Sequence, residues 1–352
     1  MIIEDDIKLD YSDVLIRPKR STLTSRFDVE LKKTYTFYHS NKEWTGIPIM
    51  ASNMDTTGTF EMHEELSLHD MITCIARHYN KNQGTNRVGQ GLHWYRAERR
   101  NKLCAMSGIS DKEIFELVAI SNTYPDISFI GLDVANGYTI NFVEAVKKLR
   151  EHLPESTIIA GNVVTADMTA ELLLAGADIV KIGVGPGSVC TTRTKTGIGY
   201  PQLSAVLECA DAAHAIGGHI IADGGCNSSG DIVKAFAAGA DFVMIGGLLS
   251  GHDECDGEYV FEDDNSEPVG MKFYGMASKT AMDKHKYPNR EYRGEEGKTV
   301  TVKYRGPVRD TVTDILSGIR SACTYVGAKR LKDLTKCATF VRVNSTHNRI
   351  YE

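Results

Sequence analysis

The 352-residue chain lacks several familiar signatures. None of its eight cysteines pairs as Cys-x-x-Cys, so a structural zinc site is not expected. No apolar run reaches 18 residues, so no spanning helix and no membrane partner are expected. No basic block stands out: 40 Lys+Arg against 46 Asp+Glu give a net charge of −6. The electrostatic footprint of a nucleic-acid binder is therefore missing. The opening residues, Met1-Ile2-Ile3-Glu4-Asp5-Asp6, have neither the basic nor the apolar segment of a secretory leader. The expectation is a cytoplasmic protein with reduced thiols. An acidic chain that takes an anionic ligand must gather its donors locally, and Lys181, Arg193, Arg293 and glycine amides are the candidates.

What is present is a rhythm. Short apolar runs alternate with longer amphipathic ones. The runs are 47–50, 71–75, 103–106, 127–132, 157–160, 179–182, 219–222 and 242–245. Each reads as a buried parallel strand. The clearest helices between them are 166–174, 202–215 and 229–238, with a further amphipathic helix over 310–326. Strands alternating with helices predict an α/β fold, and eight such units predict a closed (β/α)8 barrel, with a doubly wound sheet as the alternative. The repeat Ala-Gly-Ala-Asp precedes two strands, at 175–178 and 238–241, and marks related βα units rather than chemistry. The whole chain, 1–352, reads as one catalytic domain. Residues 1–45 read as a polar, extended N-terminal arm. Residues 250–310, rich in Gly, Asp and Glu, read as an irregular, mobile flap after strand eight. His78 and His252 read as surface polar groups.

The chain is organised around Gly183-Val184-Gly185-Pro186-Gly187-Ser188-Val189-Cys190-Thr191-Thr192-Arg193, which follows the sixth strand. In a barrel, reactive groups sit on loops after strand C-termini. The other cysteines read as small buried apolar residues. Cys190 has Gly, Ser and Thr neighbours and no apolar bed, so it reads as a nucleophile that attacks a substrate carbon. The loops after strands seven and eight carry Gly224-Gly225 and Gly246-Gly247. Barrels often bind phosphate there, beside a helix N-terminus, and Ser228 can cap the helix that follows. With Ser188 in the sixth loop, a phosphate site is the expectation.

Gly185–Arg193, Asp223-Gly224-Gly225, Tyr274-Gly275-Met276 and Arg293–Gly297 together resemble the IMP dehydrogenase/GMP reductase family, over a range from Leu9 to about Arg342. IMP dehydrogenases usually carry a regulatory insert of over a hundred residues between strands two and three; only Tyr79–Lys102 lies there, so no insert domain is expected. Asp133–Tyr138, Thr196–Gln202 and the stretch Glu291-Tyr292-Arg293 through Val300 are similar to the GMP reductase branch. The Arg-Tyr flap pair of IMP dehydrogenases is missing.

The resemblance implies NADPH-dependent reductive deamination of GMP to IMP and ammonia, through a cysteine thioimidate, in purine salvage. It implies Cys190, Thr192 and Glu296 as catalytic residues. Substrate would meet Ser188, Asp223, Gly224, Gly225, Gly246, Gly247, Gly275, Met276, Ala277, Arg293, Gly294, Glu295 and Gly297. NADPH would meet Ser25, Arg26, Arg77, Asp133, Val134, Ala135, Val184, Gly185, Met276, Tyr292, Arg293, Ser321, Ala322, Cys323 and Thr324. A potassium ion would sit on the carbonyls of Gly185, Gly187 and Cys190, near Arg193. The family also implies a homotetramer. Two departures stand out: Arg77 replaces the usual Lys, and Ala277 replaces the usual Ser, with Ser278 as its possible substitute. The competing readings are an IMP dehydrogenase lacking its insert and a nucleotide sensor with a dead site.

Overall fold

A computed structural model describes residues 2–77, 97–263, 267–287 and 294–344. Its centre is a closed parallel barrel of strands β4 (Ile49–Ala51), β5 (Ile72–Ile75), β6 (Leu103–Ser107), β7 (Phe129–Asp133), β8 (Thr157–Val163), β9 (Ile179–Ile182), β10 (His219–Asp223) and β11 (Phe242–Ile245). The ring closes where β11 pairs with β4. All eight lie on the expected apolar runs. Parallel strands bury both faces, so each reads as a continuous apolar run rather than an alternating one. Helices 166–174 and 202–215 begin and end where expected. The helix of 229–237 is capped by the Ser228 hydroxyl, which accepts from the Asp231 amide at 3.2 Å. The long helix of 308–326 packs on that helix and ends at Gly327, whose φ of +76° suits glycine.

Two regions differ from expectation. The N-terminal arm is more than an extended polar lead. Its β1 (Val14–Ile16) pairs antiparallel with β15 (Phe340–Arg342), tying the two termini together. Its hairpin of β2 (Lys33–Thr36) and β3 (Glu43–Gly46) closes the N-terminal end of the barrel. Tyr35, Phe37 and Trp44 are buried there against Phe129 and Phe242, with Tyr35 stacked 4.6 Å from the Phe242 ring. The alternation of Lys33-Thr34-Tyr35-Thr36 carries that strand signal in the sequence.

The flap is not irregular throughout. Its β12 (Tyr259–Val260), β13 (Gly270–Tyr274) and β14 (Thr299–Lys303) form an antiparallel sheet, and a short helix spans 279–284. Thr299-Val300-Thr301-Val302 is a β-branched alternating run that favours a strand over a loop. His252, expected at the surface, is buried; its ring nitrogens meet the Gly306 carbonyl at 2.9 Å and the Thr311 hydroxyl at 3.0 Å. Burial holds its pKa down, and it stands as a packing group of the flap base. His78 lies outside the described residues.

Candidate active site

The C-terminal ends of the barrel strands converge on the Cys190 loop. Gly183 and Gly185 hold φ of +154° and +87°, and a side chain on Gly183 would clash with the Asp223 carbonyl. These glycines let the sixth loop cross close over the seventh strand. A short helix, Thr192–Thr196, follows and ends at left-handed Gly197. Cys190 is half-buried, and its sulfur lies 3.2 Å from the Thr192 hydroxyl. Thr192 in turn donates to the Glu296 carboxylate at 2.7 Å. A thiol, a hydroxyl and a carboxylate thus stand in series.

Glu296 reaches this line because a flap segment docks on the loop by backbone pairing. The Thr191 amide donates to the Glu296 carbonyl at 2.8 Å, and the Lys298 amide to the Val189 carbonyl at 2.9 Å. Cys190 and Gly297 form an antiparallel bridge. A side chain on Gly297 would crowd the Ser278 amide at 2.9 Å, so the pairing needs glycine there. The Thr191 hydroxyl also donates to the Glu295 carbonyl at 3.2 Å, and Gly294 and Glu295 are exposed beside it.

Beneath the loop lies a charged floor. Lys181, on β9, is 2% exposed. Its ammonium sits 3.0 Å from Asp133, 3.3 Å from Asp223 and 3.5 Å from the Asn53 side-chain oxygen. Burial pulls the lysine pKa down, but the two carboxylates outweigh that and hold it raised. Asp133 is pushed up by burial; Lys181, with a hydrogen bond from Asn53, holds it net below the usual carboxylate range, and Arg77 adds to this. A buried ammonium between two carboxylates stays charged, where an isolated one would neutralise. Lys181, read as an anion donor, is committed to this floor instead. Arg193 is likewise committed: it pairs with Asp10 of the arm at 3.0 Å and bonds the Tyr200 carbonyl.

The phosphate candidates are brought together. Gly224 and Gly225 hold left-handed φ of +86° and +82°. A side chain on Gly224 would lie 3.2 Å from Pro186, and one on Gly247 would lie 2.8 Å from the Ser188 hydroxyl. Loops six, seven and eight therefore approach one another closely, and the capped helix of 229–237 follows the seventh. Gly246 packs against Ser52. Gly275 donates its amide to the Lys298 carbonyl at 3.1 Å, and Met276 follows it, half-buried; Ala277 is exposed. Ser278 is buried with its hydroxyl capping the helix of 279–284, so it does not supply the hydroxyl that Ala277 lacks.

The cofactor candidates fall into two groups. Asp133 ends β7, and Arg77, Val134, Ala135, Val184 and Gly185 lie on the segments after the strands, around the floor; the charge of Arg77 acts on Asp133. Ser25 and Arg26 lie on a 3-10 turn, 26–28, that packs on the helix carrying Ser321, Ala322, Cys323 and Thr324. Cys323 is fully buried and its thiol is pushed up to about 12, so its side chain faces the core. Tyr292 and Arg293 lie outside the described residues. Around the potassium candidates, the Gly187 carbonyl already accepts from the Cys190 amide at 3.0 Å, and the Arg193 carbonyl accepts from Gly197 at 3.2 Å. Hard carbonyl oxygens still suit a monovalent cation. The Arg193 guanidinium is itself a cation with no acceptor atom, so its side chain cannot ligate potassium.

Sequence reasoning passed over Asn53, Asn162, Asp10 and Gln202. Asn162 donates to Asp223 and to the Gly183 carbonyl, both at 2.8 Å. Its side-chain oxygen is buried with no partner among the described residues, an acceptor suited to a sugar hydroxyl. Asp10 accepts from the Gln202 amide at 2.6 Å and pairs with Arg193, so the arm braces the Cys190 loop and the helix that follows it. Asn53 follows β4 and Asn162 is the next-to-last residue of β8, so both sit at strand C-terminal ends, which was the available signal.

The domain model described as IMP dehydrogenase / GMP reductase matches residues 8–349. A GMP reductase of Caenorhabditis elegans is 54% identical over 99% of this chain and 96% of its own length. GMP reductase 1 of Homo sapiens is 54% identical over 99% of both chains. A GMP reductase of Salmonella typhi is 54% identical over 100% of this chain and 99% of its own.

Proposed function

The chain belongs to the IMP dehydrogenase/GMP reductase family, and within it we propose that it reduces GMP to IMP and ammonia with NADPH. The observation that carries this reading is the line from Cys190 through Thr192 to Glu296, at 3.2 and 2.7 Å. Reductive deamination needs a nucleophile to hold the purine and an acid to release nitrogen, and this line supplies both.

Cys190 attacks purine C2. A C–S bond forms, the C2–N bond breaks, and ammonia departs with the electron pair. Ammonia is a poor leaving group unless protonated, so an acid must stand at C2. Thr192 passes the proton, and Glu296 makes that transfer feasible for a hydroxyl of high pKa. NADPH supplies the hydride that C2 accepts. Expulsion of the Cys190 thiolate then restores the ring as IMP. Splitting one hard substitution into two steps is the contribution of the covalent adduct.

Asp223 and the free acceptor of Asn162 would hold the ribose, and the glycines of loops six to eight with Ser188 would hold the phosphate. Asp133 and Arg77 would meet the cofactor. The carbonyls of Gly185, Gly187 and Cys190 would hold potassium and stiffen the loop. Among the described residues no helix is long and apolar enough to cross a membrane. A cytoplasmic homotetramer serving nucleotide salvage is the setting we expect. The test is loss of reduced-nicotinamide absorbance on adding GMP. Oxidation of IMP to XMP with NAD would instead favour an IMP dehydrogenase, and GMP binding without turnover a sensor.

A further inference from the structure

We propose that Asp55 is a positioning residue for the proton transfer at Cys190: it latches the loop end of the flap hairpin, where the segment leading into the second strand delivers Glu296. The inference rests on the proposed reductase reading and deepens it.

Asp55 lies on the loop after β4 and is 4% exposed. Among the described residues its carboxylate has no partner on the barrel; every partner comes from the flap. Tyr274 donates its hydroxyl at 2.9 Å, the His285 ring meets it at 2.5 Å, and the Lys284 ammonium stands 3.8 Å away. Lys284 also reaches the Tyr274 hydroxyl at 3.1 Å and Asp256 at 3.9 Å. The Asp55 amide points at the Met276 sulfur, 3.5 Å away. Burial pushes the Asp55 carboxyl up, but His285, Lys284 and Tyr274 hold it net below its usual range.

The geometry leads directly to the acid. Tyr274 ends β13 and pairs with Thr299, the first residue of β14. Glu296 precedes Thr299 by three residues, and Gly297 bridges to Cys190. A shift at Tyr274 is therefore carried through the hairpin to the Thr192–Glu296 contact. Burying such a charged cluster adds little to stability compared with apolar packing. Its directional bonds do specify one register of flap on barrel, and a displacement of about 1 Å can cost on the order of 100-fold in rate.

The experiment compares GMP with 2-chloroinosine 5′-monophosphate as substrates of the full chain with NADPH. Cys190 displaces chloride from the analogue, and chloride leaves with its electron pair and needs no proton. Asp55→Asn is expected to lower kcat on GMP by about 10–100-fold, while the rate on the chloro analogue is nearly kept. Glu296→Gln should show the same split. Equal losses on both substrates, or no loss on either, would overturn the proposal. Tyr274→Phe, a milder change, should give a smaller loss of the same kind if Asp55→Asn folds poorly. Failure of the wild type to reduce GMP sinks the functional reading separately. Hydrogen exchange then still decides the latch: Asp55→Asn must speed exchange at the Thr191 and Lys298 amides, and unchanged exchange there refutes it.

Discussion

The two ends of the barrel are closed by opposite means. At the N-terminal end the β2–β3 hairpin inserts aromatic rings, with Trp44 5.7 Å from Phe129 and Phe37 5.8 Å from it. Carboxylates there are fully engaged. Asp178 accepts from Arg150 at 2.7 Å and from the His39 and Ile158 amides, both at 2.9 Å. Asp241 meets His214 at 2.9 Å and the Ile220 amide at 3.0 Å. At the C-terminal end Asp133 and Asp223 share one ammonium, Asn162 keeps an acceptor with no partner among the described residues, and a thiol stands half-buried. The same residue types serve structure where every valence is filled and chemistry where some are left open.

Substitutions should separate the two ends. Cys190→Ala, at the open end, should abolish turnover in the absorbance assay while GMP binding by calorimetry persists. Retained turnover would remove the covalent step. Thr192→Val and Glu296→Gln should each lower kcat by roughly 10²–10⁴-fold, the usual weight of proton transfer. At the closed end the reverse pattern is expected. Trp44→Ala should cost about 3–5 kcal/mol of stability in denaturant unfolding, with near-normal turnover per folded molecule.

Lys181 sharpens the contrast because it belongs to both patterns. Lys181→Met leaves two half-buried carboxylates without their shared ammonium, at a cost of at most about 3–5 kcal/mol, and it should also raise KM for GMP. Adding Asp133→Asn should recover melting temperature without recovering KM. Recovery of both would make Lys181 a packing residue only.

The smallest effect is pH dependence at the closed end. Asp241 is pushed up by burial, but His214 and His219 hold it net well below its ordinary 3.8. Its contribution is therefore present above that value and lost as pH falls through the depressed one. His214 is raised above its ordinary 6.5, chiefly by its bond to Asp241. That contribution is full below 6.5 and fades as pH rises through the raised value, weakly, since His214 is partly exposed. His214→Gln should flatten the alkaline limb of a melting-temperature profile and leave the acid limb; an unchanged alkaline limb would assign it elsewhere.

The barrel was legible in the chain because doubly buried parallel strands leave unbroken apolar runs such as Ile179-Val180-Lys181-Ile182. The Cys190 loop was legible because three glycines beside a thiol have few other uses. The aromatic plug and the flap sheet were missed although Tyr35, Trp44 and the Thr299–Val302 alternation were in view. Short alternating runs far from the barrel rhythm look like loops until they find partners.

Local sequence determined which segments become strands and helices, and which loop carries the sulfur, since periodicity, caps and glycine conformations act within a few residues. Only the tertiary structure decided that Glu296 meets Thr192 across 104 positions, that Lys181 serves two carboxylates, and that Asp55 faces the flap rather than the barrel. Those contacts depend on strand register and loop closure, long-range properties that no stretch of residues encodes by itself.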